Sequence, residues 1–254
     1  MRFVITKDYD ELSQVISSTM LKHMHTDRTR VNICVTTGTT PVQAYQILAP
    51  LVKDKPYFEH VHYYVVDEFW YAKEPGTQDV DIPVNKMSMD LKFFQAANIP
   101  EERIHTLRDE TVDSFDAAIH QTGGMDMVLM GIGTDGHFCG NHPGTFTNWN
   151  QGCHSIDRYC TPQVNQLLEF LLKDDIHSDD VSRIPDHYLT MGPKTIMDAK
   201  NIVMIFSGKG KAETVRRAFF GPVTMDFPVS VFQLHPHVSV LLDEAAVSEI
   251  RELL

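Results

Sequence analysis

The residues best suited to chemistry in this sequence stand at the ends of short apolar runs. Asp135 and His137 lie two apart in Gly131-Ile132-Gly133-Thr134-Asp135-Gly136-His137, directly after the apolar run Met127–Met130. A carboxylate beside an imidazole can hold and move a proton near neutral pH. Glycine at this density lets backbone approach a ligand closely, and the place just past a buried strand is where open α/β sheets bind ligands. A glycine-rich turn carrying two solvated polar residues would read the same way. Asp67 and Glu68 follow the apolar stretch His62–Val66. Such a strand can project Asp67 into a cleft while Glu68 points elsewhere or caps the next turn; a solvated strand-end pair is the plain alternative.

Two further segments suit an anion. Val31–Val35 runs into Thr36-Thr37-Gly38-Thr39-Thr40-Pro41, and a helix is predicted from Pro41, a residue that fits the first helical position. Hydroxyls, backbone N–H groups and the positive end of the helix dipole then converge. A hydroxyl-rich helix cap accounts for the same residues. No Gly-Lys-Ser/Thr follows, so this is not a Walker A loop. Asn201–Phe206 leads into Ser207-Gly208-Lys209-Gly210-Lys211, where one lysine can act as counter-ion.

Other patterns carry less. Gly131, Gly133 and Gly136 match the dinucleotide fingerprint, but Gly140 and Pro143 follow too soon for the helix that motif requires. Nicotinamide and flavin binding are therefore rejected. The pairs His23/His25, His60/His62 and His235/His237 invite a metal reading, yet no carboxylate or cysteine stands at a consistent offset from them. Asp135, His137 and His142 make the better cluster, which organic acid–base chemistry explains equally well, and no metal is expected. Cys34, Cys139, Cys153 and Cys160 form no CxxC pair and suggest reduced thiols. Cys34 reads as core, and Cys139 as near the site without being its nucleophile.

Composition narrows the class. The chain has 254 residues, 43% hydrophobic and 22% charged, as in a soluble globular protein. The net charge of −12, from 22 basic and 34 acidic residues, disfavours a nucleic-acid binder, which normally carries a basic excess. An anionic ligand must then be held by local groups against the overall field. No apolar run approaches the roughly 18 residues of a membrane span. The start of the chain, Met1–Asp8, turns acidic too early for a signal peptide, so a cytoplasmic location is expected.

The elements that must position these residues alternate. A strand at Arg2–Ile5 precedes a helix with Leu12, Val15, Ile16, Thr19 and Met20 on one face, N-capped by Asp8 with Glu11 in capping-box position. A loop is expected over 72–86, a helix over Lys86–Ala97, a strand near Arg103–Leu107 and a helix over 112–121. Residues 140–186 show little period; loops and one helix near Val164–Leu172 are expected, as in a lid or binding loop. Tyr188–Gly192 reads as a short strand, Pro193 and Lys194 open a short helix, and Ala212–Phe219 is helical. Val229–Leu234 is a helix or strand shoulder, Val238–Leu242 a last strand and Ala245–Leu254 a terminal helix. Alternating strands and helices imply one doubly wound α/β domain over residues 1–254, with a mostly parallel sheet and helices on both faces.

With these pieces placed, the chain resembles the glucosamine-6-phosphate deaminase (isomerase) and 6-phosphogluconolactonase superfamily. The resemblance is carried by Thr37-Gly38-Thr39-Thr40-Pro41, Val66-Asp67-Glu68-Phe69, Met130 to His137 and Ser207-Gly208-Lys209-Gly210-Lys211-Ala212. Leu189-Thr190-Met191-Gly192, Met197-Asp198-Ala199 and Gln233-Leu234-His235-Pro236 look like the deaminase branch. The resemblance implies a Rossmann-like fold, a phosphosugar ligand and no cofactor. It implies that Asp67 moves a proton from C2 to C1 of an open-chain amino sugar, that His137 assists ring opening and that Asp135 is its neighbouring carboxylate. It implies substrate contacts from Thr37, Gly38, Thr39, Thr40, Gly133 and Lys211. Family deaminases are often oligomeric, which leaves a homo-oligomer open.

Departures from that pattern are informative. The deaminases have Asn-Glu-Pro after the Gly-His turn, whereas this chain has Asn141-His142-Pro143. His142 cannot supply the glutamate's negative charge; it can carry a proton, or merely fill the space. The family's phosphate-binding arginine has no evident counterpart; Arg158 and Arg183 are the candidates, and Lys194 stands where a small residue is usual and can compensate. A hexosamine-6-phosphate isomerase/deaminase is the leading expectation. The alternatives are a phosphosugar lactonase, with His137 activating water, and a non-catalytic phosphosugar-binding protein.

Overall fold

Strands that are apolar at every position cannot face water on either side, and here they form the middle of a parallel sheet. The computed structural model describes residues 1–74, 76, 81–173 and 177–254. In chain order the strands are β1 (Arg2–Thr6), β2 (Val31–Val35), β3 (Val61–Val65), β4 (Asp67–Glu68), β5 (Trp70–Tyr71) and β6 (Ile82–Pro83). They continue with β7 (Ile104–His105), β8 (Met127–Gly131), β9 (His154–Asp157), β10 (His187–Thr190), β11 (Ile202–Phe206) and β12 (Val238–Asp243). The α-helices are α1 (Tyr9–Met24), α2 (Val42–Val52), α3 (Val84–Met89), α4 (Val112–Gln121), α5 (Pro162–Leu171), α6 (Pro193–Met197) and α7 (Ala212–Phe220).

Seven strands pair in the order β1-β12-β11-β8-β2-β3-β7, every ladder parallel. β2 and β11 are buried at all their positions. One face carries α1 and α2, with Leu12, Ile16, Tyr45 and Leu48 in its core. The other carries α4, α6 and α7, with Phe115, Ile196 and Val215. This is the doubly wound architecture expected from the alternation of elements. From β2 the chain winds outward to β3 and β7, then returns to β8 on the other side of β2. Ligands of open α/β sheets bind at the carboxyl ends of the strands flanking such a reversal.

Local signals hold closely. Asp8 caps α1 by accepting from the Glu11 N–H at 3.0 Å. The Glu11 carboxylate reaches back one residue further than a capping box requires, to the Lys7 N–H at 2.6 Å. α4 spans the predicted residues, and α3 extends through a π-helical turn at Asp90–Phe94. Of the loop read at 72–86, Pro75 and residues 77–80 lie outside the described residues, as do 174–176 of the irregular stretch.

The structure departs from the sequence reading over residues 154–157 and 245–254, and over 228–234 it takes the helical alternative. β9, inside the stretch read as irregular, pairs antiparallel with β10, and β10 pairs antiparallel with β4. These three short strands form a separate sheet that no apolar period announces. Residues 228–234 wind as a 3₁₀ helix. The helix expected over Ala245–Leu254 is not formed. Asp243 draws the Ala246 N–H to its carboxylate, and the chain then proceeds through i→i+3 turns at Ile250 and Leu253. A short segment at a chain end closes such turns more readily than it nucleates an α-helix.

Gly192 joins β10 to α6 at a close backbone crossing. Its φ of −80° and ψ of 176° suit any residue. A β-carbon there would fall 2.1 Å from the Gly152 carbonyl oxygen and 2.4 Å from that of Gln151. Neither backbone oxygen can yield as a side chain would. Gly192→Ala is therefore expected to destabilise the fold by about 1–3 kcal/mol, the usual cost of overpacking. Urea denaturation would show it as a lowered midpoint; an unchanged midpoint would mean the crossing opens freely.

Candidate active site

A cavity of about 300 Å³ opens at the carboxyl ends of β2 and β8. Thr36 to Pro41 form one wall, and Gly131 to Gly133, His137, Cys139 and Lys211 another. Asp67, Asn85 and Tyr188 line it, and Leu167, Leu168, Phe170 and Leu171 of α5 contribute apolar side chains. Segments distant in sequence thus meet at the topological reversal.

Asp67 stands where the chain leaves the parallel sheet. The Val66 N–H still donates to the Val35 carbonyl at 3.3 Å, while the Val66 carbonyl accepts from Met191 at 2.9 Å. One residue later Asp67 pairs with Thr190 in the small sheet. Its side chain is 9% exposed, and burial pushes its pKa up to about 7. Asn85 holds it, donating to its backbone carbonyl at 2.8 Å and more loosely to its carboxylate at 3.4 Å. Glu68 turns the other way and caps α3. It accepts from the N–H groups of Asn85, Lys86 and Phe69 at 2.8, 2.9 and 3.1 Å. Burial nevertheless pushes its pKa up to about 8. The division of roles expected for this pair is what the fold produces.

The glycine turn folds back on itself and opens no helix. Gly133 and His137 are joined by a backbone hydrogen bond of 2.9 Å. A β-carbon on Gly133 would lie 2.1 Å from His137 Nδ1, so only glycine fits beneath the imidazole. The Asp135 carboxylate accepts from His137 Nδ1 at 2.6 Å and from His142 Nδ1 at 3.1 Å. The two imidazoles are packed with ring centroids 3.9 Å apart. Burial raises the Asp135 pKa, but the hydrogen bonds from His137 and His142 outweigh it and hold the carboxyl well below its ordinary value. Burial pushes His137 down against the pull of Asp135. His137 is therefore neutral near pH 7, with Nδ1–H on the carboxylate and Nε2 left as a proton acceptor. Asp135, His137 and His142 bring three ligand atoms within 4.8 Å of one another, the one such group among the described residues. Hydrogen bonding to a shared carboxylate accounts for that convergence. None of the His-x-His pairs joins such a group among those residues.

Lys211 Nζ donates to the Ile132 carbonyl at 2.5 Å, and burial lowers its pKa. Thr37, Gly38, Thr39, Thr40, Gly133, Asp67, His137 and Lys211 are thus brought to one cavity. Four other candidates are not. His142 is 2% exposed and lies behind Asp135, outside the cavity lining, so it supports the carboxylate and cannot touch a ligand there. Lys194 sits on α6, ion-paired with Asp198 one turn on, because helical spacing directs it along its own helix. Neither arginine reaches the cavity. Arg158 donates to Asn165 at 2.6 Å and to the Ile184 carbonyl at 3.0 Å. Arg183 donates to the Ala72 carbonyl at 2.7 Å and lies over the Tyr71 ring. Cys139 lines the cavity at a φ of 48°, and burial pushes its thiol far above the nucleophilic range.

Sequence reading missed Asn85, Tyr188 and the α5 side chains. Asn85 follows Pro83 at the start of α3 and could have been flagged as a helix-entry polar residue. Tyr188 gave no signal, because only the pairing of β10 with β4 brings it beside Asp67.

A family model described as glucosamine-6-phosphate isomerases/6-phosphogluconolactonase matches residues 8–163. The chain is 30% identical over 259 residues to a glucosamine-6-phosphate deaminase of Rhodococcus jostii (strain RHA1), covering 99% of this chain and 93% of the relative. Its fold superposes on a monomeric glucosamine-6-phosphate deaminase with a TM-score of 0.79 and 26% identity, over 98% of this chain and 100% of the other. A 6-phosphogluconolactonase from Leishmania guyanensis shares the fold with a TM-score of 0.69 at 17% identity, over 98% of each chain. With the family model covering more than half of its length, the chain belongs to the glucosamine-6-phosphate isomerase/6-phosphogluconolactonase family.

Proposed function

We propose that this protein is a hexosamine-6-phosphate isomerase and deaminase, converting glucosamine or galactosamine 6-phosphate and water into a ketose 6-phosphate and ammonia. One domain over residues 1–254 performs the reaction. Four free cysteines suit a reducing, cytoplasmic setting. Among the described residues no helix is long and apolar enough to cross a membrane, and the net charge of −12 weighs against a nucleic-acid partner.

The observation that carries this reading is Asp67, a buried carboxylate with a pKa near 7, sharing a cavity with a hydroxyl-rich anion loop. The Thr36–Thr40 loop and Lys211 hold the phosphate. His137 Nε2 takes the proton of the C1 hydroxyl and delivers it to the ring oxygen as the C1–O5 bond breaks and the ring opens. Asp67 then removes the C2 proton, giving an enolamine, and returns it to C1. Water adds to the resulting C2 imine, and ammonia departs. A base poised near the working pH combines availability with driving force.

Ammonia release from glucosamine 6-phosphate and from galactosamine 6-phosphate tests the proposal. Silence on both, with hydrolysis of a phosphogluconolactone, would replace it with the lactonase reading, in which His137 activates water and Asp67 has no task. Silence throughout, with binding, would leave a phosphosugar-binding protein.

Among the described residues that line the cavity, Lys211 is the one cation. A charge-assisted hydrogen bond contributes about 1.5–3 kcal/mol. Lys211→Met is expected to raise KM about 10–100-fold with kcat little changed, read by steady-state kinetics. An unchanged KM would place the phosphate elsewhere.

A further inference from the structure

Asp67 and His137 come from different chain segments, and β10 with the residue after it is bonded to both. On one side it meets the segment that carries Asp67. Thr190 lies opposite Asp67 in the antiparallel ladder, and the Met191 N–H donates to the Val66 carbonyl at 2.9 Å. On the other side it meets the end of the glycine turn that carries His137. Thr190 Oγ1 accepts from the Gly140 N–H at 2.8 Å, and Asn141 Nδ2 donates to the Met191 carbonyl at 2.8 Å. The same amide donates to the carbonyl of Phe138, the residue after His137, at 3.1 Å.

These bonds leave little slack. Thr190 and Asn141 are both fully buried. The Thr190 hydroxyl donates loosely to the Met191 carbonyl at 3.4 Å, so its oxygen is free to accept from Gly140. A β-carbon on Gly140 would fall 2.8 Å from the Thr190 β-carbon and 2.3 Å from the Tyr188 hydroxyl, so the turn lies against β10 as closely as a glycine allows. Cys139, between Phe138 and Gly140, holds a φ of 48°, a left-handed conformation that a residue with a side chain keeps only where its surroundings impose it.

We infer that Thr190 is a positioning residue, whose hydroxyl fixes the His137 turn at a set distance from Asp67 so that both groups act on adjoining atoms of one substrate. His137 works at the C1 hydroxyl and the ring oxygen, and Asp67 at C2 and C1. If either moves relative to the other, one of the two steps loses its geometry, and a misplacement of about 1 Å can cost about 10²-fold in rate. Thr190 does not line the cavity, so it acts through the groups it holds and not on the ligand. The inference rests on the deaminase reading, and it gives the small antiparallel sheet the task of joining the two halves of that site.

Thr190→Val replaces the hydroxyl with a methyl group of similar size. A methyl cannot accept from the Gly140 N–H and cannot sit at the 2.8 Å the oxygen occupies, so the turn must shift while the backbone ladder to Asp67 stays. In ammonia release from glucosamine 6-phosphate and galactosamine 6-phosphate, the folded variant is expected to lose about 10–100-fold in kcat, with KM within about threefold of the wild type. Thr190→Ser keeps Oγ and should restore kcat to within about threefold. In a His137→Asn background, Thr190→Val should cost less than about twofold more, because the group it displaces is already gone. An undiminished kcat in Thr190→Val, whatever its melting temperature, would mean that the bond serves stability alone and overturns the inference. So would full additivity with His137→Asn, or an equal loss in Thr190→Ser. Should Thr190→Val fail to fold, Thr190→Ala, which removes the acceptor without crowding the turn, is compared with Thr190→Ser in its place. The wild-type assay separates the two claims. Ammonia release with a kcat that the substitution leaves unmoved overturns the positioning role alone, whereas a wild type silent on both sugars overturns the deaminase reading and this inference with it.

Discussion

Asp67→Asn is expected to lower kcat/KM by about 10²–10⁴-fold, the range a positioned general base supplies, and at the same time to make the protein more stable above neutral pH. Asparagine keeps the shape of the side chain and removes its charge. The wild-type carboxyl has an ordinary pKa near 4 in the unfolded chain and about 7 in the folded one. A folded pKa raised in this way contributes stability that is fully present below about pH 4. It is lost as pH rises through about 7, because the folded chain must then accept a buried charge that the unfolded chain carries in water. Three units correspond to at most about 4 kcal/mol. The variant should therefore melt higher than the wild type at pH 8, with the difference closing by about pH 4. Glu68, itself raised to about 8, gives both proteins a similar residual slope. In the wild type, kcat/KM should climb through about pH 7 as Asp67 ionises. An inactive variant that gains no stability at pH 8 would show that Asp67 is not a desolvated base. Full activity would remove it from the chemistry altogether.

His137→Asn is the second large effect. The asparagine amide nitrogen overlies the position of Nδ1 and can still donate to Asp135, whose bond to the imidazole is 2.6 Å. What disappears is Nε2, the ring nitrogen that Asp135 leaves free. The turn should stay folded, so melting temperature and phosphosugar affinity should change little while kcat falls about 10²–10⁴-fold. Paired with Asp67→Asn, this variant separates the readings. A deaminase needs both residues, one for ring opening and one for carbon-bound protons. A lactonase needs only His137, and a binding protein needs neither. Retained turnover in His137→Asn would mean that the open-chain form arises in solution fast enough to supply the enzyme.

His142 illustrates how a family departure can be accommodated. A histidine in place of the family's glutamate removes a negative charge from the vicinity of His137. In this structure Asp135 alone serves both imidazoles, with one oxygen for each. The single carboxylate orients His137, and His142 stacks against it as packing and as a second donor.

The parallel sheet, its helices and the identity of the strand-end motifs were legible in the sequence. Fully buried strands are largely apolar, with the hydrogen-bonded Asn32 of β2 the exception, and the glycine and threonine turns that follow β2, β8 and β11 punctuate them sharply. Asp67, His137, Asp135, the threonine loop and Lys211 could be picked out because each directly follows such a strand, and in a parallel sheet those ends lie on one side. Whatever depended on pairing between distant segments was hidden. Nothing local says that residues 154–157 pair with 187–190, or that this pairing sets Tyr188 beside Asp67. The loss of Arg158, Arg183 and Lys194 to partners of their own was equally hidden, since a cation's reach is set by the carbonyls and carboxylates the fold brings to it. Sequence alone determined which residues end the strands. Tertiary structure decided which of them share a cavity, because that depends on distances between segments that no local periodicity encodes.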